Sequence, residues 1–232
     1  PMRDEPLASK IEANLGIRVL IENDANAAAW GEVRFGAAKG LSNVVMLTVG
    51  TGLGGGIVVD GAIVRGAYGF AAEVGHMTLV PEGEACGCGQ FGCWEQYASG
   101  NALLRIARTS AQKHRADAGL LLGLGDGSPE GIQGPHVTHA AQAGCPVAIS
   151  AFNKLGRNIG RGMASMSALI DPEMYVIGGG VCEAGDLLLD PVRQSFEKHL
   201  TARSHRPLPQ IVAATLGNDA GLVGAADLAR EV

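Results

Sequence analysis

The stretch from Glu84 to Tyr97 reads EACGCGQFGCWEQY, which puts three of the chain's five cysteines within eight residues. Thiols so closely set serve a metal, a redox couple or a disulfide knot, or stand together by chance. A redox couple is expected as Cys-x-x-Cys, a spacing that does not occur here. His76 lies ten residues before Cys86. With Cys86, Cys88 and Cys93 it offers one imidazole and three thiolates, the ligand number and type of a structural zinc site. The glycines at 87, 89 and 92 let the loop curl until the three sulfurs converge. Four protein ligands leave no open coordination position. The ion would hold the loop rigid, with Glu95 just beyond it, and would not activate water. The other ring nitrogen of His76 stays available to a partner or a substrate. Cys145 and Cys182 stand alone and are expected to be buried or indifferent thiols.

Carboxylates supply a second kind of chemistry. Asp24, in IENDANAAAWGE, falls where a strand ends and a helix begins. Its ordinary role there is helix N-cap. Its sharper role is general base, since a carboxylate at a strand end faces a site crevice and can take a proton from a hydroxyl nucleophile. Asn23 is placed to hold that hydroxyl, and Asn26 to take over the cap. Glu73 and His76, in AAEVGH, are a carboxylate and an imidazole just ahead of the cysteines. Two glycine turns follow strands: VGTGLGGG over 49–56 and VIGGGV over 176–181. Glycine lets backbone amides approach an anion, and the Thr51 hydroxyl adds a donor. No lysine follows and no helix opens at the first turn, so it is not a P-loop. Each turn by itself reads equally as a tight turn or a phosphate cradle; the pair is consistent with a nucleotide.

The elements that must carry these groups alternate. A helix with Leu7, Ile11 and Leu15 on one face, stopped at Gly16, opens the chain. A buried strand is expected over 17–22, an alanine-rich helix up to Gly36, and a strand over 43–49. A hairpin turns at Asp60-Gly61. Helix is expected over 95–113, a solvated glycine-rich connector over 119–135, and helix over 146–169. A strand is expected at MYVIGGG, helix over 184–200, a strand over 210–214 and a closing helix over 220–230. This order argues for α/β layers around a central sheet. The 232 residues and 47% hydrophobic content suit one large domain or two lobes. A net charge of −5 argues against a nucleic-acid surface. No apolar run is long enough for a bilayer, and the thiols suit a cytoplasmic protein, where disulfides are rare.

Taken together, ENDANAAAWGE, LTVGTGLGGG, AAEVGH, CGCGQFGCWEQYASG, YVIGGGV and LGNDAGLVGAADLA resemble the ROK family of repressors, open reading frames and sugar kinases. The likeness is greatest to its actinobacterial glucokinases. The resemblance implies an actin-like, ribonuclease-H-like α/β fold of two lobes with sugar and ATP in the cleft. Residues 1–36, completed by 218–232, would belong to the small lobe, and 37–217 to the large lobe with its zinc loop at 76–93. Asp24 would be the catalytic base on the sugar 6-hydroxyl, and Asn23, Glu73, His76 and Glu95 would bind sugar hydroxyls. His76, Cys86, Cys88 and Cys93 would ligate zinc. Gly50, Thr51, Gly52 and Gly54 would face the ATP phosphates, and Gly178, Gly179 and Gly180 would lie near the adenosine, with Mg²⁺ accompanying ATP. A homodimer is implied. The helix over 156–168, rich in small residues, is either its contact or packed inside the monomer.

The family opens with an Asp-x-Gly-Gly-Thr phosphate motif that does not occur here. The expectation is therefore a small lobe incomplete at its N-terminus, an unpaired edge at Ile17, and weak or absent sugar phosphorylation by the chain as it stands. Competing functions are the sugar-binding part of a transcriptional regulator, and an inactive zinc-stabilised fragment. Mannose, fructose or N-acetylmannosamine compete with glucose as substrate, and polyphosphate with ATP as donor.

Overall fold

The computed structural model of the protein describes residues 5–230; the first four residues of the expected opening loop and the last two of the 218–232 segment lie outside it. In chain order the elements are α1 (Leu7–Leu15), α2 (Asp24–Phe35), β1 (Val44–Val49), β2 (Leu53–Val59), β3 (Ala62–Ile63), α3 (Gly100–Lys113) and α4 (Gly119–Gly123). They continue with α5 (Gly134–Gln142), α6 (Pro146–Ile170), β4 (Met174–Gly178), α7 (Asp186–His199), β5 (Gln210–Ala213) and α8 (Ala220–Leu228). The five strands form one sheet in the order β3-β2-β1-β4-β5. β1, β4 and β5 run parallel; β2 and β3 are antiparallel additions. Asp60 and Gly61 both take positive φ at the β2–β3 tip, as a two-residue hairpin turn of primed type requires.

Strand alternation sorts the core into two layers. Val44 and Met46 of β1, Val58 of β2, and Met174 and Val176 of β4 face α2 and α8. Val45, Leu47, Val49, Ile57, Tyr175 and Ile177 face the opposite layer of α3, α5, α6 and α7. That layer is the thicker of the two, because α6 alone has 25 residues. In it Tyr175 meets Phe196 edge to face at 5.6 Å. Among the described residues no helix is long and apolar enough to cross a membrane.

Several expectations give way to tertiary context. Residues 17–22 form no strand, and Ile17, Leu20 and Ile21 are exposed. β-branched residues only create a preference; a strand exists through a ladder, and no other extended segment lies beside this one among the described residues. The connector over 119–135 is solvated only in part. It contains α4, and Leu121, Leu122 and Ile132 are buried in the core. α5 has no counterpart among the expected helices, since it opens at Gly134-Pro135 inside the glycine-rich connector. The helix expected from Glu95 begins at Gly100 instead, where Ser99 caps it by accepting from Ala102 N–H at 3.2 Å. The glycines of α6 do not face outward. A Cβ on Gly156 would stand 2.8 Å from Pro191 Cβ, one on Gly160 would stand 2.6 Å from Phe196 N, and one on Gly162 would overlap the Trp94 ring. The small residues therefore let α6 meet α7 and Trp94 inside the monomer.

Gly160→Ala is accordingly expected to lower the unfolding free energy by about 1–3 kcal/mol, because backbone atoms cannot retreat from the added methyl. Gly119→Ala in α4, where nothing lies within 4 Å of a Cβ, is expected to be neutral or to stabilise by up to about 1 kcal/mol. Urea denaturation compares the two; equal midpoints would show that the α6–α7 contact relaxes.

Candidate active site

The parallel pairing of β1 with β4 sets Thr48 opposite Gly178. The two glycine turns that follow these strands are thereby neighbours at the carboxyl edge of the sheet, where open α/β sheets collect ligands. They touch: a Cβ on Gly179, whose φ is +89°, would lie 2.5 Å from the Val49 carbonyl. Gly100 N donates to the Gly50 carbonyl at 2.7 Å, so the N-terminus of α3 also ends at the first turn. A cavity of about 760 Å³ opens here, within the size range of nucleotide and cofactor sites. It is lined by Gly50, Thr51 and Gly180, by Asn101 and Leu104 of α3, and by Thr138, His139 and Gln142 of α5. Gly52, Gly54, Gly178 and Gly179 do not line it. Thr138, His139 and Gln142 fall in no motif, so the α5 wall has no signature in the sequence.

Gly54 sits inside β2, paired with Thr48. β2 contains the run Gly54–Gly56, and missing side chains there admit neighbours on both faces. A Cβ on Gly56 would stand 2.5 Å from Ala29 Cβ and 2.6 Å from the Ala25 carbonyl, and one on Gly55 would stand 2.6 Å from Val74 Cγ2. α2 therefore lies across one face of β2, and the turn carrying Glu73 and His76 lies on the other.

Asp24 is the first residue of α2 and is exposed. The helix cap is neither Asp24 nor Asn26 but Asn23, whose side chain accepts from Ala25 N–H at 2.9 Å and Asn26 N–H at 3.1 Å. Asn23 takes this role because its backbone is still extended, at φ −67° and ψ 140°. Asn26 is buried instead and donates to Glu22 Oε1 at 3.0 Å. Glu22 is paired with Arg65 at 2.8 Å. Burial works against the Glu22 charge, but the bonds from Asn26, the Asn23 N–H and Arg65 outweigh it and hold its carboxyl below the usual range. No hydrogen bond joins Asn23 or Asp24 to Glu73, His76 or Glu95 among the described residues.

The cysteine loop is a small β-like knot. Thr78 pairs with Cys93 and Ala85 with Phe91. Gly92, at φ +75°, is pressed against the Val80 carbonyl, which leaves no room for a side chain. The ligand atoms of His76, Cys86, Cys88 and Cys93 all lie within 4.8 Å of one another. Cys86 Sγ stands 3.6 Å from His76 Nδ1, and Cys88 Sγ 3.6 Å from Cys93 Sγ. A tetrahedral zinc with bonds of about 2.3 Å needs ligand atoms roughly 3.8 Å apart, so donor set and spacing both fit that ion. Burial, reinforced by the Cys88 and Cys86 thiols, pushes the Cys93 thiol up to about 12; a cation is what would make it a thiolate at neutral pH.

Glu95 joins the two regions. Its Oε1 accepts from the Cys86 thiol at 2.9 Å and lies 3.8 Å from His76 Nδ1. Its Oε2 points at Gly52. The residues around Glu95 are held by α6: Trp94 Nε1 donates to the Asn158 carbonyl at 2.9 Å, and Asn158 Nδ2 donates to the Tyr97 carbonyl at 3.0 Å. Cys145 is buried. Cys182 is half-buried, and burial raises its thiol to about 11.

A family model described as ROK family matches residues 1–232. A glucokinase from Streptomyces coelicolor is 53% identical over 229 residues, 99% of this chain and 72% of its own length. The crystal structure of a ROK family glucokinase from Streptomyces griseus, in complex with glucose and AMPPNP, superposes with a TM-score of 0.93 at 53% identity, covering 99% of this chain and 74% of that one. A ROK family transcriptional regulator, a homologue of the E. coli MLC protein, superposes with a TM-score of 0.82 at 30% identity, over 97% of this chain and 55% of its own.

The purified protein is expected to carry about one zinc per chain, a closed four-ligand set needing no other donor. Cys93→Ser should lose the metal and melt at a lower temperature. Elemental analysis with thermal melts decides this, and an unchanged melting temperature after chelation would remove the metal from the loop.

Proposed function

The chain belongs to the ROK family, has the actin-like α/β fold of its glucokinases, and is a hexose kinase; on that premise we propose that it transfers the γ-phosphoryl group of ATP to the 6-hydroxyl of glucose, with Asp24 as general base. The observation that carries this reading is the junction at the β1–β2 turn. A nucleotide-sized cavity lies on one side of that turn, and a carboxylate held beside an imidazole and thiols lies on the other.

The chemistry follows from those groups. Glu73, His76, Glu95 and Asn23 offer carboxylates, an imidazole and an amide, the donors and acceptors that a polyol needs. Gly50, Thr51 and the end of α3 face the phosphates, with the base against the α5 wall. Asp24 takes the proton of the 6-hydroxyl as its oxygen attacks the γ-phosphorus in line, and the bond to the β-phosphate oxygen breaks with its electrons leaving on ADP. Little covalent chemistry falls to the protein, so positioning supplies most of the rate. Mg²⁺ accompanying ATP would offset the phosphate charge. His76, Cys86, Cys88 and Cys93 would hold a zinc ion, which would make the loop a rigid closed knot, and the loop in turn would keep Glu95 and the free side of His76 on the sugar.

The division into a small lobe of 1–36 with 218–232 and a large lobe of 37–217 belongs to the same proposal. It draws on the contact of α2 with α8, closed by Trp30 Nε1 and Arg34 Nε, which both donate to Asp227 at 3.0 Å, and both helices also pack on the sheet of 37–217. The same proposal includes a homodimer, whose contact must lie away from the buried glycines of α6, and a cytoplasmic location, which suits five unbridged thiols. The likeness to a regulator keeps a sugar-responsive binding role as the second reading.

Asp24→Asn is expected to lower kcat by about 10²–10⁴-fold while leaving glucose affinity nearly intact. Turnover close to wild type would discard Asp24 as the base, and glucose binding without any turnover of ATP in the wild-type protein would favour the regulator. Assays against mannose, fructose and N-acetylmannosamine, and with polyphosphate as donor, fix the substrate pair. Stripping zinc should weaken glucose binding more than AMPPNP binding; equal losses, or none, would leave the knot as a fold staple only.

A further inference from the structure

By residue type Gly52 belongs with the phosphate turn, yet its surroundings point elsewhere. It lines no part of the cavity that Gly50 and Thr51 line. Its φ lies outside the left-handed region, so the backbone does not demand glycine. A Cβ at this position would have one neighbour within 4 Å, Glu95 Oε2 at 3.0 Å, well inside the separation at which such atoms attract. Gly75 backs Glu95 from another side: a Cβ there would overlap the Leu53 carbonyl and stand 3.5 Å from Glu95 Cβ. Glu95 thus reaches between two glycines, with Oε1 2.9 Å from Cys86 Sγ and Oε2 in the space at Gly52. Gly50 provides the contrast. Its φ is equally ordinary, a Cβ on it would meet no protein atom within 4 Å, and it does line the cavity.

We propose that Gly52 is a positioning residue for sugar recognition. Its missing side chain is the room in which the Glu95 carboxylate stands. Residue 52 therefore sets sugar affinity through Glu95, whereas residue 50 sets nucleotide affinity by direct approach. The inference rests on Glu95 as a sugar ligand. A methyl at 52 meets the mobile end of a side chain and no backbone, so the fold yields by moving the carboxylate. The cost then appears as lost sugar binding more than as lost stability. Through this contact the two ligand regions share one wall.

The test is calorimetric titration with glucose and, separately, AMPPNP on the wild type, Gly52→Ala, Glu95→Ala, the double variant and Gly50→Ala. Gly52→Ala should weaken glucose roughly tenfold, leave AMPPNP within about twofold, and add nothing further in the Glu95→Ala background, the non-additivity expected of touching residues. Gly50→Ala should weaken AMPPNP more than glucose. A loss confined to AMPPNP in Gly52→Ala, or the same loss of glucose with and without Glu95, overturns the inference. Wild-type glucose affinity in Glu95→Ala instead sinks the sugar-ligand reading beneath it. If Gly52→Ala alone is too unstable to titrate, Gly52→Ala/Glu95→Ala, which removes the carboxylate the methyl meets, should recover stability in thermal melts; no recovery overturns the proposal.

Discussion

Three consecutive glycines in the middle of a strand remove every side chain from β2 between Gly54 and Gly56, and two structural elements occupy the vacated space. α2 lies against one face, where Ala25 and Ala29 stand at the positions that side chains would fill, and the Val74 side chain occupies the other. Glycine is a poor strand former, losing entropy and packing area. Here the ladder to β1 and the two flanking contacts offset that loss. Because the strand is thin, the helix that begins with Asp24 and the turn that bears Glu73 and His76 approach the same stretch of backbone from opposite sides. A larger residue at Gly55 or Gly56 would move one of them away from the turn at Gly50–Gly52, whereas one at Gly54 would first meet Thr48 Oγ1.

What holds α2 in that position is polar and buried. Glu32 has no exposed surface. Its carboxylate accepts from Thr215 N–H at 2.9 Å, Leu216 N–H at 2.7 Å, Ala37 N–H at 2.7 Å and the Thr215 hydroxyl at 3.2 Å. Bonds to a charged group contribute about 1.5–3 kcal/mol each, and a buried carboxylate without them would be untenable. Glu32 therefore pins the far end of α2 to the segment that follows β5. Asp227 closes the other seam through Trp30 and Arg34, with the Arg34 guanidinium 5.6 Å from the Trp30 ring. Helix, sheet edge and α8 form one unit, and Asp24 inherits its position from that unit.

The cysteine loop is anchored from below as well as by its own turns. Trp94 is fully buried between Cys93 and Glu95, and α6 receives it at Gly162 while Asn158 bonds both Trp94 and Tyr97. A loop of small and polar residues has little core of its own, so the indole supplies its apolar anchor. The long central helix of the thick layer thus reaches the site without lining it.

Much of this organisation was legible in the chain. Short continuous apolar runs marked β1, β4 and β5, Gly16 and Gly36 marked the ends of α1 and α2, and Asp60-Gly61 marked the hairpin, because capping and turn chemistry are local properties; His76 with three glycine-spaced cysteines offered the donor set of a metal site, and the fold brings their ligand atoms within 4.8 Å of one another. The ROK motifs named the fold and its likeness to sugar kinases. Other features were decided by tertiary structure alone. Residues 17–22 have strand composition but pair with no strand among the described residues, and 119–135 has loop composition but buries Leu121, Leu122 and Ile132. Glycines of one appearance do three different things: Gly50 opens on a cavity, Gly160 admits a helix and Gly52 makes room for a carboxylate. A glycine reports only that a side chain is missing. What fills the space is set by residues distant in sequence, and only the folded chain brings them there.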